Sequence, residues 1–131
     1  MNFRLLVIDT NFYSALARGN ERVRQLIRSA EEIALPQIVI GELLGGFHYG
    51  TRFNKNYSDL REIMSKPSCR VLIPSMETAS LYGKLYADLK KKGTMIPTND
   101  IWIAALTIEY EGVLATFDTD FDSISNLETI R

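Results

Sequence analysis

Apolar positions along this chain fall into two kinds of run. "LLVI" at residues 5–8 shows no alternation, so residues 3–8 read as a strand buried on both faces. "IALP" (33–36), "RVLIP" (70–74) and "VLAT" (113–116) are further short strands, and "LETI" (127–130) fits a last edge strand. Between them the period turns helical. Thr10 or Asn11 caps a short helix that stops near Gly19-Asn20, and Val23, Leu26, Ile27 and Ala30 predict a helix over Glu21–Glu32. Pro36 opens a helix through Phe47, with an end weakened by Gly45-Gly46. "YGTRFNKN" (49–56) reads as a loop before a helix over Ser58–Ser65. A long helix over 76–92 closes at Gly93, and Thr98 caps another through Glu111, closed by Gly112. "IWIAAL" is apolar on all sides, the mark of a buried helix.

Strands alternating with helices predict an α/β fold with three layers, α/β/α, around a central parallel sheet. A length of 131 residues fits a single domain, 1–131, whose core needs no metal or disulfide to hold it. Lone Cys69 excludes an internal disulfide and a thiolate metal cluster, and fits a cytoplasmic setting. Asp9 stops the first apolar run before it reaches the length of a signal peptide or membrane span.

Net charge is −1, so no global basic field advertises nucleic acid. Its distribution says more. Residues 109–128 hold Glu109, Glu111, Asp118, Asp120, Asp122 and Glu128 without a Lys or Arg. Residues 48–70 carry Arg52, Lys55, Arg61, Lys66 and Arg70, and Lys90-Lys91-Lys92 form a second basic cluster. An acidic centre with basic flanks suits an anionic ligand held on a bridging metal. Each run alone also reads as a solvated face, and three lysines in a last helical turn are favoured by the helix dipole.

Ligands of open parallel sheets bind at the carboxyl ends of the strands. Asp9 directly follows the first strand and Asp118 lies two residues beyond "LAT", both at that edge. Asp100 lies in the first turn of the helix begun at Thr98, and Glu42 lies off the Ile40-Leu43-Leu44-Phe47 stripe of its helix. Each acid alone has a structural reading: Asp100 favours the dipole, Asp9 caps a helix, Glu42 is solvated. Together, with hard oxygen donors and no Cys or paired His, the four point to Mg²⁺ or Mn²⁺. Such ions bind phosphate oxygens and lower the pKa of water, which suggests phosphodiester hydrolysis. Thr10, Asn11, Asn99 and Thr116 are candidates to orient those carboxylates, with Thr10 and Asn11 equally readable as caps. His48, the sole histidine, reads as a surface residue rather than a general base.

"VIDTN" on the first strand, the acid in "IVIGELL", "TNDIWIAA" and "LATFDTDF" resemble the PIN-domain ribonucleases, most closely the small VapC-type toxins of toxin–antitoxin pairs. The resemblance runs over essentially the whole chain. It implies Asp9, Glu42, Asp100 and Asp118 as the metal-binding, catalytic set, with Asp120 as a fifth acid, and endonucleolytic RNA cleavage by metal-activated water. It also implies a homodimer held by a small antitoxin protein, one of whose arginines pairs with the carboxylates. Phe117 departs from the pattern, since many such toxins carry a basic residue there. Phe47, Tyr49, Phe53 and Tyr57 are candidates for a groove or interface, and equally for core. The competing reading is a PIN-like module that binds RNA or protein without cutting. A phospho-receiver domain is disfavoured because no lysine follows "LATFDT".

Overall fold

The computed structural model describes residues 2–131. Strand β1 (Phe3–Ile8) is followed by α1 (Thr10–Ala17), α2 (Glu21–Arg28), β2 (Ala30–Pro36), α3 (Gln37–Tyr49) and α4 (Phe53–Met64). Then come β3 (Cys69–Leu72), α5 (Met76–Lys92), α6 (Thr98–Glu109), β4 (Val113–Ala115), a short 3-10 helix (Thr119–Ser123) and β5 (Thr129–Ile130). All neighbouring strands pair in parallel, in the order β3-β2-β1-β4-β5. The chain is thus an α/β domain around a five-stranded parallel sheet, as its alternating pattern predicts.

Strand β1 lies at the centre, and Leu5, Leu6, Val7 and Ile8 are all buried. An apolar run without alternation demands this, because helices cover both faces of a parallel sheet. The chain leaves β1 toward β2 on one side, while β4 pairs on the other, so the strand order reverses between β1 and β4. A crevice opens at such a point, outside the carboxyl ends of the strands. Register then decides what faces it. Ile8 pairs with Ala115, so Asp9 and Thr116 leave adjacent strands side by side.

Several boundaries differ from the sequence expectation. Helix α2 stops at Arg28, not Glu32, because Ala30–Glu32 join β2 and pair with β1 through Phe3–Ala30 and Leu5–Glu32. Helix α3 continues through Gly45-Gly46 to Tyr49. The expected loop over 49–56 is cut short, since α4 begins at Phe53: Phe53 stacks on Tyr57 one turn later, with Leu60 buried below. The caps differ too. Asp9, not Thr10 or Asn11, caps α1, and Pro97 rather than Thr98 is the cap residue of α6.

Helix α6 ends at Glu109, and the turn after it places Glu111 at φ 56°, a left-handed conformation uncommon for residues other than glycine. Gly112 is needed for a different reason than helix closure. A Cβ there would lie 2.9 Å from Val7 Cγ2 and 3.3 Å from the Leu5 carbonyl oxygen, so α6 can return to β4 only with a bare backbone against β1. No helix among the described residues is long and apolar enough to cross a membrane.

Candidate metal centre

Asp9 is set by β1 and by its own cap. Its Oδ1 accepts the Phe12 backbone N–H at 2.9 Å, and its Oδ2 accepts the Thr116 hydroxyl. With 6% of its surface exposed, it is the only buried acid among the described residues. Burial raises its pKa first; the bonds from Thr116 and Phe12 pull it back, and the charges of Asp118 and Glu42 push it up again.

The Thr116 hydroxyl does a second thing. While donating to Asp9 it accepts the Asp118 backbone N–H at 3.0 Å, so one fully buried side chain ties two acids together. Asp118 in turn caps the 3-10 helix, its Oδ1 accepting the Asp120 N–H at 2.9 Å. That turn folds Asp120 back toward Asp118 and carries Asp122 away. Asp122 instead receives Arg131 Nη2 on both oxygens at 3.0 Å. Of three aspartates at alternate positions, two face the crevice and one is paired at the surface.

Asp100, the third residue of α6, is half-buried and completes the cluster. One carboxylate oxygen from each of Asp100, Asp118 and Asp120 lies within 4.8 Å of the others. Burial and then the charges of Asp118, Glu42, Asp9 and Asp120 push the Asp100 pKa up to about 6. Two carboxylates about 4 Å apart repel by roughly 4 kcal/mol at an effective dielectric of 20, so the group resists its own ionisation. A cation removes that cost, and an all-oxygen donor set fits a hard divalent ion.

Glu42 approaches from α3 and is exposed. It is nonetheless oriented: Thr10 Oγ1 donates to its Oε1 at 2.6 Å, and Asn99 Nδ2 donates to its Oε2 at 3.4 Å. Of the four candidate orienting residues, Thr10, Asn99 and Thr116 thus bond a carboxylate of the cluster. Asn11 is exposed on the first turn of α1 and takes no part in these bonds. His48 is exposed and stacks on Phe53 with centroids 4.0 Å apart. The four candidate aromatics divide: Phe47 is half-buried against the core and Phe53 is half-buried, while Tyr57 and the 94% exposed Tyr49 lie at the surface.

Sequence reasoning missed Phe12. Its N–H holds Asp9, and its fully buried ring lies under Phe117 at a centroid distance of 5.1 Å. The signal was its place three residues after an aspartate that ends a strand, where a capped N–H is expected.

The chain belongs to the PIN-domain family, whose model matches residues 6–127. It is 32% identical over 127 residues to ribonuclease VapC1 of Rickettsia felis, covering 95% of this chain and 94% of that one. Two solved structures share the fold closely. VapBC2 from Rickettsia felis bound to a promoter DNA fragment superposes with a TM-score of 0.85 at 25% identity, covering 96% of this chain and 97% of that one. VapBC-1 from nontypeable Haemophilus influenzae gives 0.81 at 26% identity, with 96% of both chains covered.

Proposed function

We propose that this protein is a divalent-metal-dependent endoribonuclease of the VapC type, the toxin partner of a toxin–antitoxin pair acting in the cytoplasm. The observation that carries the site is the carboxylate trio of Asp100, Asp118 and Asp120 beside buried Asp9. Relatives named as ribonucleases and as VapBC pairs support the activity class.

Asp100, Asp118 and Asp120 would hold Mg²⁺ or Mn²⁺, with Asp9 as the buried anchor of the group. When bound, such an ion supplies Lewis acidity, lowering the pKa of water and neutralising charge on a phosphodiester. The chain's own residues do the rest. Thr116 and the Phe12 N–H fix the Asp9 carboxylate, and Thr116 fixes the backbone that carries Asp118. Glu42, steadied by Thr10 and Asn99, presents a carboxylate at the solvent side, placed to orient water or accept its proton. The two sides of the crevice are built on rigid elements, as a preorganised site requires.

Asp9→Asn, Asp100→Asn and Glu42→Gln test the reading. Each is expected to lower RNA cleavage at least about a hundredfold while the far-UV circular dichroism stays native, since Asn keeps the α1 cap. Undiminished cleavage by Asp100→Asn contradicts it. The partner assignment, a homodimer that binds a small antitoxin whose arginine enters the carboxylate cluster, is tested separately. Mass in solution and RNA cleavage are measured with and without the product of the adjacent small gene; a monomer neither bound nor inhibited removes the toxin assignment alone.

A further inference from the structure

Phe117 sits in the chain between Thr116 and Asp118, two residues that build the acid cluster, and 43% of it is exposed. A lone exposed apolar side chain is ordinary. This one differs in its support and its surroundings. The ring packs on fully buried Phe12, with planes tilted by 34°, so one side is fixed by the core while the ring still presents surface to solvent. Its backbone is fixed as well, because the residues on either side are joined by the Asp118 N–H to Thr116 hydroxyl bond. The result is a preformed aromatic platform one residue from a carboxylate of the cluster.

The charge around it sets what it can bind. Asp9, Glu42, Asp100, Asp118 and Asp120 repel phosphates, so affinity for RNA at this point has to come from the bound cation and from uncharged contacts. An aromatic face is the uncharged contact that every nucleobase accepts. In an A-form duplex the base faces are covered by their neighbours, whereas an unpaired base can turn out and stack.

We propose that Phe117 is a nucleobase-stacking platform that makes the site select single-stranded RNA; the inference rests on the ribonuclease reading above. The flanking base lies on the Phe117 ring while its phosphate lies at the acid cluster. A basic residue in its place would attract phosphate without regard to pairing. Phe117 instead ties recognition to an unstacked base.

The test uses the full chain with Mg²⁺ and a fluorescein-labelled 20-nucleotide RNA of randomised sequence, compared with a perfectly paired RNA duplex of the same length. Asp100→Asn is the background that blocks cutting, and Phe117→Ala, Phe117→Leu and Phe117→Trp are compared within it. Phe117→Ala and Phe117→Leu are expected to weaken single-strand binding roughly 5- to 150-fold, with duplex binding unchanged within about twofold. Phe117→Ala also lowers the melting temperature by losing its packing on Phe12, and Phe117→Leu, which keeps much of that packing, separates the binding loss from it. Phe117→Trp is expected to retain binding and to show indole quenching by RNA beyond that of Trp102, the one native tryptophan. Equal binding by Phe117→Leu and the parent overturns the proposal, and so does an equal loss on both RNAs. Unchanged RNA binding with weakened binding of the adjacent gene's protein also overturns it, and assigns the ring to a protein interface. Cleavage of total RNA by the unmodified chain, lost in Asp100→Asn alone, reports the ribonuclease reading independently.

Discussion

Asp118, Asp120 and Asp122 show how a one-residue alternation becomes three different environments. A strand that ended at Asp122 would place all three on one side of the crevice. The Asx turn from Asp118 to the Asp120 N–H ends that alternation at once and sends Asp122 to Arg131. Loss of cleavage on Asn substitution is therefore expected to follow the order Asp118, Asp120, Asp122. Asp122→Asn should stay within about twofold of the unmodified rate, because an exposed ion pair is worth about 0–1 kcal/mol. Steady-state cleavage of total RNA measures the order, and a dominant loss at Asp122 contradicts the turn. These residues were legible in the sequence as acids near a strand end. Closeness to the strand end and the family resemblance also set Asp118 and Asp120 apart from Asp122. The means of that separation, a backbone N–H donated to Asp118, was not legible, because no side-chain pattern reveals it.

At the scale of elements, the α6–β4 turn holds two adjacent residues whose substitutions should act in opposite directions. Gly112→Ala brings a methyl to 2.9 Å from Val7 Cγ2 on β1, the strand that ends in Asp9, and is expected to destabilise the fold by about 1–3 kcal/mol. Glu111→Gly relieves a φ of 56° and should stabilise by up to about 1 kcal/mol; the Arg4 contact there survives, since Arg4 donates to the Glu111 backbone carbonyl. Urea denaturation of the two variants measures both signs, and an unchanged or more stable Gly112→Ala contradicts the close approach. The sequence announced a glycine at this turn but assigned it to helix closure. What Gly112 serves is a tertiary contact with a strand over a hundred residues earlier, which local pattern cannot carry. The same limit explains β2. Ala30–Glu32 continued a helical stripe in sequence, yet pairing with β1 drew them into the sheet. Phe53 shows the reverse, a residue in a Gly/Asn-rich stretch that its stacking on His48 and Tyr57 makes helical. The parallel sheet, in contrast, followed from strands alternating with helices and from unbroken apolar runs, and with it the carboxyl edge where the acids lie. The order β3-β2-β1-β4-β5 is set by pairing between distant strands that no local pattern carries.

At the scale of the whole molecule, the acid cluster makes stability depend on pH and on cation together. Both Asp9 and Asp100 have raised pKa values in the fold, Asp100 about 6. A raised carboxyl adds its full stability when protonated, below its unfolded pKa, and loses it as pH rises through the folded value. The metal-free protein is thus penalised at neutral pH by the charges that the proposed function requires. A divalent ion reverses the sign, because it binds the ionised form and competes with protons. The most direct measurement is the rate of RNA cleavage by metal-stripped protein as Mg²⁺ or Mn²⁺ is titrated back, at pH 7.5 and again at pH 5. The account predicts no cleavage before metal is added, recovery on titration at pH 7.5, and a several-fold higher metal requirement at pH 5, where Asp100 is protonated. Full cleavage in excess EDTA at either pH contradicts it.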